Sequence, residues 1–160
     1  MQNAKLLGHP VHPMLVVFPL GLLITAVLFD IVYLFSGNAL FAHVAYWNIA
    51  VGIIGGLTAG IFGLIDWVAI PRGTRAKTIG FWHGLGNVVL IGLFVWSWLI
   101  RSDAVDYAPS TNAFALGFAG VLLGAITGWL GGELVDRLGV GVDQGAHVNA
   151  PISLSGRPAR

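Results

Sequence analysis

The chain has 160 residues, of which 56% are hydrophobic and 9% are charged. A soluble domain usually has about 25% charged residues, so this chain has too little polar surface to enclose a core in water. We therefore expect it in a lipid bilayer. The formal net charge of +1 excludes a nucleic-acid-binding protein held by a basic field. The absence of cysteine excludes disulfides, thiolate metal sites and cysteine nucleophiles.

Four long apolar segments predict four transmembrane helices. Each reaches the length of about 20 residues that a helix needs to cross about 30 Å of hydrocarbon. The first segment is longer than the apolar part of a signal peptide and lacks a small-residue cleavage site, so it is expected to stay as a helix. Residues 1–138 are thus predicted to form an all-α, up-down-up-down four-helix membrane bundle. Its helices are expected at about 13–36, 41–70, 78–101 and 112–137.

The charges between the helices predict the orientation of the bundle. The segment between the second and third helices contains Arg72, Arg75 and Lys77 without an acidic residue, and an excess of Lys and Arg marks cytoplasmic loops. The next loop contains two aspartates against one arginine and is expected outside. Both termini then lie in the cytoplasm. Residues 139–160 are rich in Gly, Ser, Pro and Ala and are expected to form a flexible cytoplasmic tail.

Glycines recur at every fourth position in two of the predicted helices. Such ladders let helix backbones approach closely in a membrane, where no hydrophobic effect drives the helices together. We expect the ladders to pack tightly, either against each other or against another subunit or a second copy. The ladder glycines are Gly52, Gly56 and Gly60 in the second helix and Gly120, Gly124, Gly128 and Gly132 in the fourth.

Ionisable residues from all four helices fall at a similar depth near the predicted cytoplasmic face. They are His9, His12, Asp66, His83 and Glu133. Ionisable groups inside a membrane are costly and usually face the interior of the bundle. Imidazole and carboxylate groups bind zinc, iron or manganese, and two imidazoles on opposed helices suit the iron of a b-type haem. The pattern therefore makes His12 and His83 candidate haem or metal ligands, with His9, Asp66 and Glu133 as further metal ligands.

A purely structural interpretation of the same residues stays open. In that interpretation the polar groups clamp the helices together through hydrogen bonds and bind nothing else. In either case an unpaired polar group near hydrocarbon is costly, so we expect one physical cluster. At least two of the three contacts His12–His83, His83–Asp66 and His12–Glu133 should then form, directly or through one water.

Asp30 and His43 are expected to form a smaller polar pair near the opposite face, joined by a salt bridge or a hydrogen bond. The sequence does not favour catalysis. Ser97 has no histidine and aspartate in the pattern that activates a serine nucleophile, and no glycine-rich loop has the form that binds phosphates. We therefore predict no catalytic residue.

Several motifs resemble one family of membrane proteins. His-Pro-x-His-Pro at residues 9–13, Gly-Leu-Ile-Asp-Trp at 63–67 and Gly-Trp-Leu-Gly-Gly-Glu-Leu-Val at 128–135 resemble the bacterial family called domain of unknown function 2231. The resemblance covers about residues 5–143. It implies a small four-helix protein of the bacterial inner membrane, in some cases joined to or beside redox proteins, and it implies no particular activity.

Many members of this family have histidine where this chain has Val17, and again near Leu138. Their absence here favours the structural interpretation of the polar cluster over the cofactor one. Three functions stay open. The favoured one is a structural or accessory subunit of a larger membrane complex, which contacts other subunits or a second copy through its glycines. The others are a redox protein that holds b-type haem or a divalent metal, and a small transporter or proton conductor that uses Asp30, Asp66 and Glu133.

Overall fold

The computed structural model describes residues 4–157. A short antiparallel hairpin of strands β1 (Lys5–Leu6) and β2 (His9–Pro10) precedes the helices. Within these residues, four helical segments are long and apolar enough to cross a membrane, which confirms the predicted all-α class. These segments are Val11–Ser36, Ala39–Ala69, Arg75–Arg101 and Val105–Arg137.

The first segment consists of two helices, α1 (Val11–Leu15) and α2 (Val17–Ser36). The break between them follows from Pro19, because proline has no N–H to donate to the carbonyl four residues earlier. Helix α2 ends at Gly37, whose φ of +64° is left-handed and whose N–H donates to the carbonyl of Tyr33. This is the usual glycine ending of a helix.

The next three helices begin at side-chain caps. The side-chain oxygens of Asn38, Thr74 and Ser110 each accept a hydrogen bond from a backbone N–H in the first helical turn, which satisfies a donor that the helix leaves unpaired. Helix α5 continues into one π-helical turn at Glu133–Arg137. The capped helices are α3 (Ala39–Ala69), α4 (Arg75–Arg101) and α5 (Thr111–Gly132).

The core lies between α2, α3 and α4, and large apolar side chains cover much of the outer surface, as expected of a protein surrounded by lipid. Phe94 is the largest apolar side chain in the core and is 1% exposed. It lies against Gly120 of α5, where an added Cβ would be 2.6 Å from the ring. The core cluster comprises Leu23, Ala26, Val27, Ala45, Ile49, Ile53 and Phe94.

The two glycine ladders do not contact each other. Beside some ladder glycines, a side chain of a neighbouring helix occupies the space. Gly52 lies against Leu23 of α2, and Gly124 lies against Leu90 of α4. The remaining ladder glycines are open, since a Cβ added to any of them would meet no atom within 4 Å. They are Gly60, Gly128 and Gly132.

The segment after the last helix lies along the N-terminal hairpin. The ammonium of Lys5 bonds the carboxylate of Asp143, and the hydroxyl of Ser153 donates to the carbonyl of Leu7 over 3.0 Å. The bond from Lys5 and its positive charge hold the pKa of Asp143 below its ordinary value. The tail, expected to be flexible, thus has defined contacts with the beginning of the chain.

Candidate functional site: two histidines and a buried ion pair

His12 lies in α1 and places its ring against the backbone of α3. Its Nδ1 is 2.8 Å from the carbonyl oxygen of Ala59. A carbonyl oxygen can only accept, so Nδ1 carries the proton and donates. The ring fits there because residue 63 is glycine, where an added Cβ would lie 3.0 Å from two ring atoms.

His83 lies in α4 and makes the matching contact with α5. Its Nδ1 donates to the carbonyl of Thr127 over 2.8 Å, and a Cβ added at Gly131 would lie 3.2 Å from its ring. The amide of Asn87 donates to the backbone carbonyl of His83 over 2.8 Å, and its oxygen accepts from the hydroxyl of Thr127 over 3.2 Å. Asn87 thus links α4 to α5 beside His83.

The two histidine rings face each other across the bundle. Their ring centres are 6.3 Å apart and their planes are nearly perpendicular, at 87°. The structure therefore brings together the pair that the sequence named first as haem or metal ligands.

The other residues of the expected cluster lie in separate contacts. Asp66 accepts from the backbone N–H of Ala4 over 3.1 Å, and Glu133 accepts from Arg75 over 2.5 Å. Neither the His83–Asp66 nor the His12–Glu133 hydrogen bond forms. Within residues 4–157 no group of three or more His, Asp or Glu side chains is placed to hold a metal ion.

His9 is also apart from the histidine pair. It is exposed at the end of the N-terminal hairpin, and its Nε2 is 3.4 Å from the hydroxyl of Ser153 in the tail. We name the end of the bundle where His12 and His83 meet the histidine end.

The opposite end contains a fully buried ion pair. The two terminal nitrogens of Arg101 donate to the two carboxylate oxygens of Asp30 over 2.7 and 2.6 Å, and both side chains have no exposed surface. Arg101 also donates to the hydroxyl of Ser97 over 3.2 Å, which in turn donates to the carbonyl of Ala113 over 2.6 Å. We name this the arginine end.

His43, expected beside Asp30, lies elsewhere at the arginine end. Its Nδ1 bonds the carbonyl of Ala39 over 3.0 Å, and its Nε2 is 3.9 Å from a carboxylate oxygen of Asp106. Its ring packs edge-on against Tyr107. Asp30 pairs with arginine because Arg101, whose charge was counted with the outer loop, is the last residue of α4 and turns inward.

The bundle has two halves with matching contacts. The first half consists of α1, α2 and α3, and the second half consists of α4 and α5. His12 and His83 each precede a charged residue by 18 positions, Asp30 and Arg101, and each of these residues meets its counterpart in the other half. The match continues in the core, where Leu23 on Gly52 corresponds to Phe94 on Gly120. These contacts define an approximate two-fold axis that runs along the bundle between its two ends.

The sequence contained a signal for this symmetry that periodicity did not bring out. The equal separations of His12 from Asp30 and of His83 from Arg101 are visible without a structure. Gly63 and Gly131 could not be found in this way, because neither belongs to a four-residue ladder. Their role follows from the ring that each one accommodates.

Four apolar helices, joined near both ends by polar contacts between helices, define a multi-pass membrane protein. The sequence model of the family described as predicted membrane protein (DUF2231) matches residues 8–144. The chain belongs to this family, which confirms the resemblance of its motifs. No curated protein sequence and no solved structure matches it.

Proposed function

We propose that the protein is an accessory subunit of a larger complex in the bacterial inner membrane. The observation that carries this proposal is the open part of the second glycine ladder. Gly128 and Gly132 are exposed on α5, and a Cβ at either position would meet no atom of the described part of the chain within 4 Å. Glycine in such a stripe lets the backbone of another helix approach closely.

The charged residues support a structural role over conduction. A proton conductor needs acidic groups that exchange protons along one path across the membrane. The acids considered for that role lie in three separate contacts: Asp30 in a bidentate ion pair with Arg101, Asp66 on a backbone N–H, and Glu133 on a guanidinium. Each contact holds one helix to another segment of the chain.

The proposal includes an up-down-up-down path with both termini in the cytoplasm. The order of contacts between the first two apolar segments supports an antiparallel path there. Leu23 of α2 meets Gly52, whereas His12 of α1, earlier in the chain, meets Gly63, later in the chain. A reporter fused after Lys77 should then report the cytoplasm, and one placed near Asp106 should report the outside. The reverse result would contradict the orientation and leave the bundle itself intact.

The subunit role is tested by native electrophoresis of the tagged chain, extracted from its own bacterium in a mild detergent. We expect the wild-type chain to migrate in a complex larger than itself. Gly128→Ile and Gly132→Ile should release it as a free subunit, because the added side chain prevents close helix contact.

Gly92→Ile is the matched control. Gly92 is exposed and open like the two ladder positions, but it belongs to no ladder. This variant should migrate as the wild type does. Free wild-type subunit in every detergent, or equal migration of all three variants with the complex, would refute the proposal.

A further inference from the structure

The histidine end has two ring nitrogens whose chemistry the subunit role does not use. In both His12 and His83, Nδ1 donates its proton to a backbone carbonyl over 2.8 Å. A neutral imidazole has one N–H, so the lone pair of each ring is on Nε2. A backbone carbonyl that accepts from one ring nitrogen is the usual partner of a metal-bound histidine, because it fixes the tautomer and the ring orientation.

Both Nε2 atoms are available. Within residues 4–157 no group hydrogen-bonds to Nε2 of His12. The amide nitrogen of Asn87 is 3.3 Å from Nε2 of His83, but it has a shorter bond of 2.8 Å to the carbonyl of that residue. A metal ion at His83 would therefore displace a weak contact and leave Asn87 with a strong one.

The separation of the rings fits one metal ion between them. Two imidazole nitrogens on opposite sides of a metal ion, each about 2 Å from it, place the ring centres about 6 Å apart. The observed separation is 6.3 Å. Gly63 and Gly131 lie against the two rings and let each ring approach its neighbouring helix closely.

The set of ligands distinguishes between metals. A zinc ion takes three or four protein ligands, and in the described part of the chain no third His, Asp or Glu joins this pair. Haem iron already has four nitrogens from its ring and needs two axial ligands on opposite sides. We propose that His12 and His83 are the axial ligands of a b-type haem, which lies between the two halves of the bundle.

A flat, apolar group with an acidic edge needs open space and cations near the pair. Gly84 follows His83 directly, and Gly60 follows the residue whose carbonyl holds His12. Both glycines have open space where a side chain would be. At the same end, three cations lie at positions 72, 75 and 77. The nearest, Lys77, is about 9 Å along the helix from His83. Its ammonium donates to the carbonyl of Trp67 over 2.6 Å, so pairing with a haem carboxylate would replace this bond.

The chemistry expected of such a haem is transfer of single electrons. With both axial positions taken by histidine, the iron has no open position for oxygen or another small ligand. A one-electron donor would reduce the ferric iron to ferrous and a one-electron acceptor would oxidise it again, with no proton or other group transferred. This activity goes beyond the proposed subunit role and does not depend on it.

Titration of the purified full-length chain with hemin tests the proposal, using a tag without histidine and lipid nanodiscs. We expect one hemin per chain, a shifted Soret band and, after reduction with dithionite, the sharp visible bands of a six-coordinate low-spin haem. His12→Ala and His83→Ala should each remove the low-spin spectrum and weaken hemin binding about tenfold or more.

His43→Ala is the control, because His43 is also a partly buried histidine of a membrane helix but lies at the arginine end. It should bind hemin as the wild type does. In His83→Gly, added imidazole should restore the low-spin spectrum, which separates loss of a ligand from loss of the fold. Size-exclusion elution of each variant checks that the bundle is intact.

A wild-type chain that leaves the hemin spectrum unchanged would overturn the proposal. So would equal binding by a variant that lacks both histidines, or binding of zinc that excludes hemin. Native electrophoresis reports the subunit role separately, so loss of either result leaves the other interpretable.

Discussion

At both ends of the bundle, equivalent residues of the two halves meet, but the kind of residue differs between the ends. A residue beside a two-fold axis meets its own equivalent. At the histidine end the equivalents are two neutral imidazoles, which tolerate each other at 6.3 Å. At the arginine end the equivalents are Asp30 and Arg101, joined by two hydrogen bonds without exposed surface.

The difference shows that only the arginine end needs different residues in the two halves. Two aspartates or two arginines in that buried position would repel each other in a medium that screens charge poorly. One half therefore has the acid and the other has the base. The histidine end needs no such asymmetry, because two neutral rings do not repel each other. Two identical rings can also bind one ligand between them.

The arginine end gives the largest expected effect. Arg101→Met should lower the free energy of unfolding by about 3–5 kcal/mol, because it leaves the Asp30 carboxylate buried without a partner. Thermal unfolding in one detergent, followed by circular dichroism, measures the loss. The matched control is Arg137→Met, since Arg137 is exposed and should tolerate the change.

Two double variants sharpen this result. Exchanging the charges with Asp30→Arg and Arg101→Asp should recover most of the stability if opposite charge is what matters. Replacing both residues by apolar ones, Asp30→Leu with Arg101→Met, should be near neutral. Equal stability of Arg101→Met and the wild type would remove the argument that symmetry is broken for electrostatic reasons.

The core allows the two halves to be compared at one matched position. An added Cβ would be 2.6 Å from the ring of Phe94 at Gly120 and 2.6 Å from a methyl group of Leu23 at Gly52. Gly120→Ala should cost about 1–3 kcal/mol, because the rigid ring is enclosed and overpacking forces a backbone shift.

Gly52→Ala should cost less than Gly120→Ala, because the end of a leucine side chain changes rotamer more easily than a ring moves. The same unfolding assay compares the two. Gly128→Ala, where space is open, should leave stability of the isolated chain unchanged. The opposite order of the two core variants would show that packing differs between the halves in another way.

The smallest effect concerns the tail beside the histidine end. The carboxylate of Asp143 is stabilised by Lys5, which lowers its pKa from the ordinary 3.8. A lowered folded-state pKa means that the contact contributes fully above that ordinary value and is lost as pH falls through the lowered one. Protease cleavage in the tail should rise in that acidic range with an acid-active protease.

Asp143→Asn should raise tail cleavage at neutral pH toward the acidic level, while the four helices stay protected. Asp136→Asn is a control, since Asp136 is an exposed acid outside this contact. A cleavage rate that is equal in both variants and the wild type would mean that the Lys5 contact does not order the tail.

Composition and local chemistry were enough to predict the long helices from the sequence. The scarcity of charge predicted a membrane protein, and the long apolar segments predicted helices able to span a membrane. The depth argument placed His12 and His83 in one group, together with His9, Asp66 and Glu133. These features depend on a residue and its near neighbours along one helix, which the sequence contains directly.

The direction of each side chain around its helix was decided by tertiary structure. Asp66 and Glu133 share the depth of the histidines but bond Ala4 and Arg75, because depth along an axis does not fix rotation about it.

Arg101 shows the same limit at the other end. Beside two aspartates in a polar stretch it is typical of a loop, and an arginine counted as a loop charge has no predicted partner. Helix α4 ends at Arg101 and places it opposite Asp30, its equivalent across the axis. That pairing joins residues 71 positions apart in the chain, and packing of the two halves alone brings them together.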